Sequence, residues 1–458
     1  MSDTPGSSSP FRWGRLAREL WSLLRMPLLA ILLAFAMGAL VILLTSGSFE
    51  TVLEAYIGLL RGAFIKQRGF SETLVAAIPY VFLSLAVAVA FKTGLFNIGI
   101  EGQFTIGSVC AAWAGVAFSG LPAIIHLPLV LLAGALGGGL WAAFPGYLKA
   151  RTGAHEVIST MMMNYVAFRL VEYLVSVPLR DLSSAGVQTN RIASGAELWT
   201  MAAFPERLQD PSNALLLALT VALIVMLAVR ILVKSERFST HFTGDTQRRM
   251  IAYIGAGLMA GAFSFLALPP LVQVWWPFTD QYDRMHTGLF LAVFAALGVW
   301  WLLSKTTIGF ELRTVGANPH AAHYAGVNIT RSIILSMAIS GALAGLAGTV
   351  EVLGVSICRC LPLSFSSGYG WDSIGIALLA KNDPFGILAA SLLFGAMRNG
   401  ADLMELNSGV SKYIISLIQA LVLLFVSAPT IVRWVYRLKD APKADETTSL
   451  TTGWGGKR

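Results

Sequence analysis

Apolar residues occur in ten long runs along the chain, separated by polar segments. The runs cover residues 27–45, 74–91, 98–118, 124–145, 157–176, 214–233, 250–271, 287–303, 332–353 and 413–432. Each is close to the roughly 20 residues that an α-helix needs to cross the hydrocarbon core of a bilayer. The pattern predicts an all-α, polytopic membrane protein with about ten transmembrane helices.

Two shorter apolar segments, 371–380 and 385–397, lie between the ninth and tenth runs. The residues that join them, 381–384, are polar or helix-breaking. Half-length helices of this kind are tolerated in a bilayer only where protein or a water-filled cavity surrounds them. The sequence therefore predicts a re-entrant pair of half-helices at this point.

The composition agrees with a membrane protein, since 55% of the 458 residues are apolar and only 13% are charged. An ordinary soluble domain carries about 25% charged residues, which excludes a water-soluble enzyme. The net charge of +8 does not indicate nucleic-acid binding, because most of the 33 lysine and arginine residues fall in segments that this topology places on one side of the membrane. This positive-inside bias predicts that both termini are cytoplasmic.

Cysteine and histidine positions do not indicate a metal site. Cys110 lies alone in an apolar run, and one residue separates Cys358 from Cys360, so we expect neither a disulfide framework nor bound zinc. His320 and His323 fall on one helical face without a third ligand. The sequence also has no GxxxxGK[ST] phosphate loop and no HExxH or GxSxG motif, so we expect no cofactor and no catalytic site.

Small residues recur at four-residue spacing inside several runs, which favours close helix packing in lipid. They are Gly134 and Gly138, Gly257 and Gly261, and Ser340, Ala344 and Gly348, with Gly341 and Gly345 beside them. Close packing is the prediction, and a moving interface is the alternative.

The segment 306–327 contains a full set of helix-boundary signals. Asn318 is a good N-cap, Pro319 suits the first helical turn, and Gly326 suits the left-handed position after a helix. A helix of about two turns is not stable alone. This short helix, within the predicted cytoplasmic loop 304–331, is therefore expected to dock on another surface.

Polar residues inside the apolar runs are candidate site residues, because burying them is costly and they usually line a pathway or pair with each other. They are Asn97, Glu101, Gln103, Asn164 and Asp372. One interpretation is a polar translocation path. The other is helix capping and internal pairing, in which Glu101 favours the positive end of its helix. Arg169 and Glu172, at i, i+3 spacing, are interpreted as a structural ion pair.

Longer motifs resemble those of a known family. They are FKTGLFNIGIEGQ (91–103), KARTGAHEVISTMMMNY (149–165), and TTIGFELRTVGANPHAAHYAGV (306–327) followed by SGALAGLAG (340–348). Together they resemble the permease subunits of bacterial ABC importers of the branched-chain amino acid and simple-sugar class. Within that class, the first two motifs are most similar to nucleoside-type permeases.

The resemblance implies a transport subunit in the bacterial inner membrane and not an enzyme. The implied partners are a second permease in a heterodimer, two ABC ATPase subunits, an external substrate-binding lipoprotein and the lipid bilayer, without nucleic acid. The short helix then resembles the coupling helix that binds a groove of the ATPase. Its residues in this chain are Asn318, Pro319, His320, Ala321, Ala322, His323, Tyr324 and Gly326.

Nucleosides are the substrates that the resemblance favours, and simple sugars or branched-chain amino acids are the alternatives within the family. An ion-coupled secondary transporter and an intramembrane enzyme are alternatives from other classes.

The predicted parts of the chain are a cytoplasmic tail (1–26), a first transmembrane part (27–208), an inserted transmembrane hairpin (209–285), a second transmembrane part (286–432) and a cytoplasmic tail (433–458). The hairpin has no counterpart in the typical family pattern.

Overall fold

The computed structural model describes residues 13–234, 246–278, 280–363, 365 and 368–437. Within these residues the chain is helical and has only isolated β-bridges, which confirms the all-α prediction. Much of both predicted tails, and residues 235–245 of the predicted hairpin, lie outside the described residues. The helices are α1 (Trp13–Ser46), α2 (Phe49–Leu60), α3 (Gly69–Lys92), α4 (Ile100–Ala117), α5 (Ala123–Thr152), α6 (Glu156–Ser176), α7 (Phe204–Arg207), α8 (Pro211–Lys234), α9 (Thr246–Leu266), α10 (Leu268–Trp275), α11 (Gly288–Lys305), α12 (Thr307–Ala317), α13 (Pro319–Tyr324), α14 (Ile329–Val350), α15 (Tyr369–Leu379), α16 (Pro384–Ser408), α17 (Tyr413–Ser427) and α18 (Pro429–Val435).

Among the described residues, six helices are long and apolar enough to cross a membrane. Their spans are Arg25–Ser46, Gly69–Lys92, Ala123–Thr152, Pro211–Arg230, Gly288–Lys305 and Ile329–Val355. Helices α17 and α18, which meet at 93°, form a seventh span if they are taken together. The protein is thus a multi-pass membrane protein, but the predicted count of about ten spans is not confirmed.

The prediction of a half-helix pair at 371–380 and 385–397 is wrong in its second member. Helix α15 is short, with 11 residues, whereas α16 has 25 residues and is about 37 Å long at 1.5 Å per residue. Polar residues in the later turns of α16 form hydrogen bonds with other helices, so the helix continues through them. Asn399, for example, donates hydrogen bonds to Gly69 O at 2.8 Å and to Thr73 Oγ1 at 3.0 Å.

Helices α3 and α14 form the centre of the bundle, and most of their residues are buried. Glycines allow α14 to approach α5 backbone to backbone. A Cβ atom on Gly341 would collide with Gly138 O, and one on Gly345 would collide with Gly134 O. The predicted close packing at small residues is confirmed for this pair of helices.

Residues 209–285 contribute helices α8 and α9, which pack on each other at the other predicted small-residue pattern. A Cβ atom on Gly257 or Gly261 of α9 would come within 3.0 Å of Ala222 in α8. The pattern is therefore confirmed here as well. Both helices also expose apolar side chains such as Leu219 and Phe263.

Two ion pairs connect the segment after α10 to the start of α3. Arg284 Nε donates to Glu72 Oε1 at 2.9 Å, and this hydrogen bond raises the pKa of Arg284. Arg68 Nε donates to Asp280 at 2.5 Å, which lowers the pKa of Asp280. Both pairs anchor the residues that follow α10 to the start of the central helix α3.

The expectation that the cysteines form no disulfide is wrong for Cys358 and Cys360, which are bonded to each other. Arg359, between them, has a φ of 52°, in the left-handed region. This tight turn brings the two Cα atoms to 5.1 Å, within the usual range for a disulfide. Cys110 is a free thiol.

Candidate functional site

The chain between α3 and α4 leaves helical geometry and returns into the bundle. Gly94 has a φ of 74°, and the residues up to Gly99 are not helical. The side chain of Asn97 satisfies part of this irregular backbone, because it accepts a hydrogen bond from Gly99 N at 3.0 Å. It also donates to Ser340 Oγ in the middle of α14 at 2.9 Å, so that α4 begins beside the middle of that helix.

Four of the five predicted path residues lie together around this segment: Asn97, Glu101, Gln103 and Asn164. Asn97 and Gln103 exchange two hydrogen bonds of 3.0 Å. Asn164 in α6 donates to Ile98 O at 3.0 Å and accepts from Gly102 N at 2.9 Å. All four residues are buried, each with 1% of its surface exposed. In this conformation none of the four faces solvent, and Asn97 and Asn164 satisfy backbone groups of the irregular segment and the start of α4.

Glu101 connects this group to α15. Its carboxylate accepts a hydrogen bond from the backbone N–H of Gly370, in the first turn of α15. Because Glu101 is also in the first turn of α4, its carboxyl group lies at the N-terminal ends of two helices, where the helix dipoles are positive. The fifth predicted residue, Asp372, follows Gly370 by two positions, so the group reaches it through one helical turn.

Asp372 lies on the wall of a cavity of about 480 Å³ between α3, α15, α16 and α17. Tyr80 donates its hydroxyl hydrogen to the Asp372 carboxylate at 2.8 Å, and Arg398 donates to Tyr80 Oη at 3.2 Å. The Arg398 guanidinium also lies 4.0 Å from the centroid of the Tyr369 ring. Other residues that line the cavity are Trp371, Asp402, Lys412, Tyr413, Ser416 and Gln419.

The cavity combines aromatic surfaces with groups that donate and accept hydrogen bonds. The Asp372 carboxylate accepts, the Arg398 guanidinium donates, and the Gln419 amide does both. Trp371 and Tyr413 are 42% and 76% exposed, so their rings are accessible. Sites for small molecules are typically clefts with aromatic walls and a few placed polar groups. The arrangement suits an uncharged polar molecule that contains a flat ring.

Of the residues that line the cavity, Asp372 alone was a predicted site residue; Tyr80, Arg398 and Gln419, which supply polar groups, were not predicted. Gln419 is a polar residue inside the apolar run 413–432, so the criterion that identified Asp372 could have found it. Tyr80 and Arg398 carried no comparable signal, because their roles depend on contacts across 292 and 318 positions of the chain.

The short capped helix predicted in the loop 304–331 is present as α13. The Asn318 side chain accepts hydrogen bonds from His320 N at 2.9 Å and from Ala321 N at 3.1 Å. Gly326 has a φ of 78°, as expected for a residue just after a helix. The prediction of a capped helix at this position is confirmed.

Only one side of α13 packs on the rest of the protein. Ala322 is fully buried, whereas Tyr324 is 92% exposed. His320, Ala321 and His323 are also exposed, so the outward side of α13 is available to another protein. Among the described residues, no group of histidine, cysteine or acidic side chains is arranged to hold a metal ion.

The helix that precedes α13 packs directly on the end of α3. A Cβ atom on Gly316 of α12 would lie 3.0 Å from Gly94 N and would collide with Lys92 O. The loop that carries α13 therefore touches the start of the irregular segment whose later part holds Asn97.

The sequence pattern of the family described as branched-chain amino acid transport system / permease component matches residues 69–427. The guanosine ABC transporter permease protein NupP of Bacillus subtilis (strain 168) is 36% identical over 412 residues, which cover 90% of this chain and 95% of NupP. The glucose ABC transporter permease protein TsgB13 of Haloferax volcanii is 29% identical, over 89% of this chain and 87% of its own.

A second protein of Bacillus subtilis (strain 168), the guanosine ABC transporter permease protein NupQ, is 24% identical over 70% of this chain and 78% of its own. No solved structure gives a significant match. The family pattern covers most of the chain, and the motifs that suggested the resemblance at 91–103, 149–165 and 306–327 all lie inside it. The chain therefore belongs to the family of branched-chain amino acid transport system permease components.

Proposed function

We propose that this permease imports nucleosides as the transmembrane subunit of an ATP-driven transporter of the bacterial inner membrane. The observation that carries the proposal is the 36% identity to a guanosine permease over 90% of the chain. A relative named as a glucose permease, at 29% identity, makes simple sugars the second candidate.

The cavity around Asp372 supports a nucleoside over a simple sugar. A nucleoside presents a flat base and ribose hydroxyl groups, whereas a simple sugar has no aromatic ring. The exposed ring of Trp371 can stack on a base, and the Asp372 carboxylate can accept a hydrogen bond from a hydroxyl. The volume of about 480 Å³ lies within the range of about 300–1,000 Å³ that is usual for small-molecule sites.

The translocation path, in this proposal, passes Asp372. Asn97, Glu101, Gln103 and Asn164 form the polar layer behind it and hold α4, α6 and α15 together at this height. A path that opens and closes needs these helices to move relative to one another. The hydrogen bonds between Glu101 and Gly370, and between Asn164 and Gly102, are contacts that such a movement would change.

The proposed transporter contains further subunits. NupP and NupQ are two guanosine permease proteins of one organism, which supports pairing with a second, related permease. Two ABC ATPases and an external substrate-binding lipoprotein complete the assembly, since this chain has no phosphate-binding loop of its own. The basic loops and both termini face the cytoplasm in this arrangement.

The coupling helix, in this proposal, is α13, with the residues from Asn318 to Gly326 as its contact with an ATPase. Its exposed side, which includes Tyr324, is accessible to a groove of the ATPase. Its neighbour α12 touches the segment after α3 at Gly94, which leads to Asn97. A movement of α13 would thus act on the polar layer behind the cavity through contacts between adjacent elements.

Substrate identity is tested by uptake of a labelled purine nucleoside into cells with and without the gene for this chain. We expect uptake to be lost without the chain, to be inhibited by unlabelled nucleosides, and to be unaffected by excess glucose or leucine. Uptake should also depend on ATP and persist when the ion gradients are collapsed. Unchanged nucleoside uptake together with lost uptake of another solute would reject the proposal.

Replacing Ala321 by aspartate should uncouple ATP hydrolysis from transport. Ala321 is on the exposed side of α13, so the new charge leaves the fold intact but would be buried against the ATPase without a partner. Such burial costs several kcal/mol, and we expect uptake to fall by at least about tenfold. Nucleoside uptake and ATPase activity are measured together on the reconstituted transporter.

The matched control for this variant is Ala321→Ser, which changes the same position without adding a charge and should transport normally. Ala322→Asp differs, because Ala322 is fully buried and the charge should destabilise the loop itself. Normal transport by Ala321→Asp would show that this side of α13 does not bind the ATPase.

A further inference from the structure

One face of α6 is packed and the opposite face is exposed. The packed face, against α4 and α5, contains Thr160, Asn164, Ala167, Val171 and Val175. The exposed face contains Ile158, Met162, Tyr165, Arg169 and Glu172. These five residues follow one another at steps of three and four, so they share one side of the helix. The side chains are mixed in chemistry, with apolar, aromatic and charged members.

The charged members of this face form an ion pair. Arg169 Nη1 lies 2.6 Å from Glu172 Oε2, and the two side chains are 83% and 50% exposed. The interpretation of the spacing as an ion pair is therefore confirmed. Both groups nevertheless point away from the rest of the chain, so whatever covers α6 must also cover two charges.

Measured along the helix axes, the ion pair lies near the middle of the bundle. Helices α4 and α6 run parallel, with Ala167 against Gly102, and Gly107 further along α4 meets Gly345 of α14. Gly345 is ten residues from the end of its span, about 15 Å at 1.5 Å per residue. Arg169 follows Ala167 by two residues in α6. Along the helix axes, Arg169 therefore lies at a level between Gly102 and Gly107 of α4.

Other outward faces have a different chemistry. Among the described residues of α1, α5 and α11, the side chains exposed between the helix ends are apolar, for example Leu32, Leu40, Leu132, Leu136, Phe294 and Leu297. Such faces fit lipid. A charged side chain near the bilayer centre is costly and almost always faces protein or a water-filled cavity. The exposed face of α6 is therefore not a lipid-facing surface.

We propose that this face of α6 binds the second permease subunit. The proposal rests on the proposed function, since it needs a transporter with two permeases, as the pair NupP and NupQ suggests. ATPases and an external lipoprotein lie outside the bilayer and do not reach this height. A related permease can cover Met162 and Tyr165 with its own apolar helices and meet Arg169 and Glu172 with polar groups.

The position of α6 beside the cavity supports this assignment. Gly102 of α4 packs on α6, and the preceding residue, Glu101, binds Gly370 of α15. Consecutive residues of an α-helix are about 100° apart, so α6 and the cavity wall lie next to each other around α4. The second permease would therefore lie on the far side of α6, one helix away from the wall of the cavity.

The interface is tested by photocrosslinking in the assembled transporter. A photoreactive benzoylphenylalanine replaces Tyr165 in one version of the chain and Leu132, on the exposed face of α5, in a control version. We expect the probe at position 165 to form a covalent adduct with the second permease. The probe at position 132 should form no protein adduct. The masses of the adducts identify the attached subunit.

Three results would overturn the proposal: no protein adduct at position 165, an adduct at position 165 with a second copy of this chain, or equal adducts at both positions.

Copurification of the second permease is a second measurement. Arg169→Ala should reduce the amount of second permease that copurifies by about tenfold, because Glu172 is left unpaired in the interface. The charge exchange Arg169→Glu with Glu172→Arg should restore it. Neither measurement depends on the substrate, so a wrong substrate assignment and a wrong interface are distinguishable.

Discussion

Replacing Asp372 by asparagine is expected to reduce nucleoside uptake by about 10- to 100-fold and to leave the protein folded. A hydrogen bond to a charged group contributes about 1.5–3 kcal/mol, and 1.4 kcal/mol corresponds to a factor of ten. Asparagine has the size of aspartate and still accepts the hydrogen bond from Tyr80, so the packing of α3 against α15 is preserved. The measurement is the initial rate of labelled uptake against nucleoside concentration, normalised to the amount of chain in the membrane.

The matched control is Asp402→Asn, which makes the same chemical change in the same cavity. The Asp402 side chain is 75% exposed and lies 3.7 Å from Lys412. Exposed pairs of this kind contribute about 0–1 kcal/mol, so uptake should stay within about fivefold of the wild-type value. Equal uptake by the two variants would show that Asp372 does not contact the solute.

Features that depend on neighbouring residues were predicted correctly from the sequence. The capped helix α13 is one, because the Asn318 side chain binds backbone groups only two and three residues away. Close packing at Gly134, Gly138 and Gly341 was also predicted, because its cause is the absence of side chains at these positions, but the pairing of α5 with α14 was not predicted. In both cases the type of residue at a given position is enough to predict the local structure.

Features that depend on distant residues were not predictable in the same way. The length of α16 was underestimated, because the residues that allow Asn399 to continue the helix lie in α3. The bond between Cys358 and Cys360 was missed, because it depends on the backbone conformation of Arg359. The choice of Asp372 as a candidate needed only its polarity, but the cavity around it is built by residues from four helices.

Replacing Gly345 by valine is expected to prevent stable folding of the bundle. A Cβ atom at this position would collide with Gly134 O and lie 3.2 Å from Gly138 Cα. These neighbours are backbone atoms of α5, so no side chain can move aside and the two helices must separate. Overpacking costs about 1–3 kcal/mol in ordinary cores, and we expect a cost at or above the upper end here. The measurement is the amount of monodisperse protein recovered in mild detergent and its thermal stability.

The matched control is Gly298→Val in α11, which adds the same side chain to another span. No atom lies within 4 Å of a Cβ placed on Gly298, so valine there is accommodated and recovery should be unchanged. Equal recovery of the two variants would show that α5 and α14 do not approach as closely as described. Separation of these helices would also displace Ser340, which holds Asn97 at 2.9 Å. Any Gly345→Val protein that does reach the membrane should therefore also lose transport, because the polar layer behind the cavity depends on the same helix.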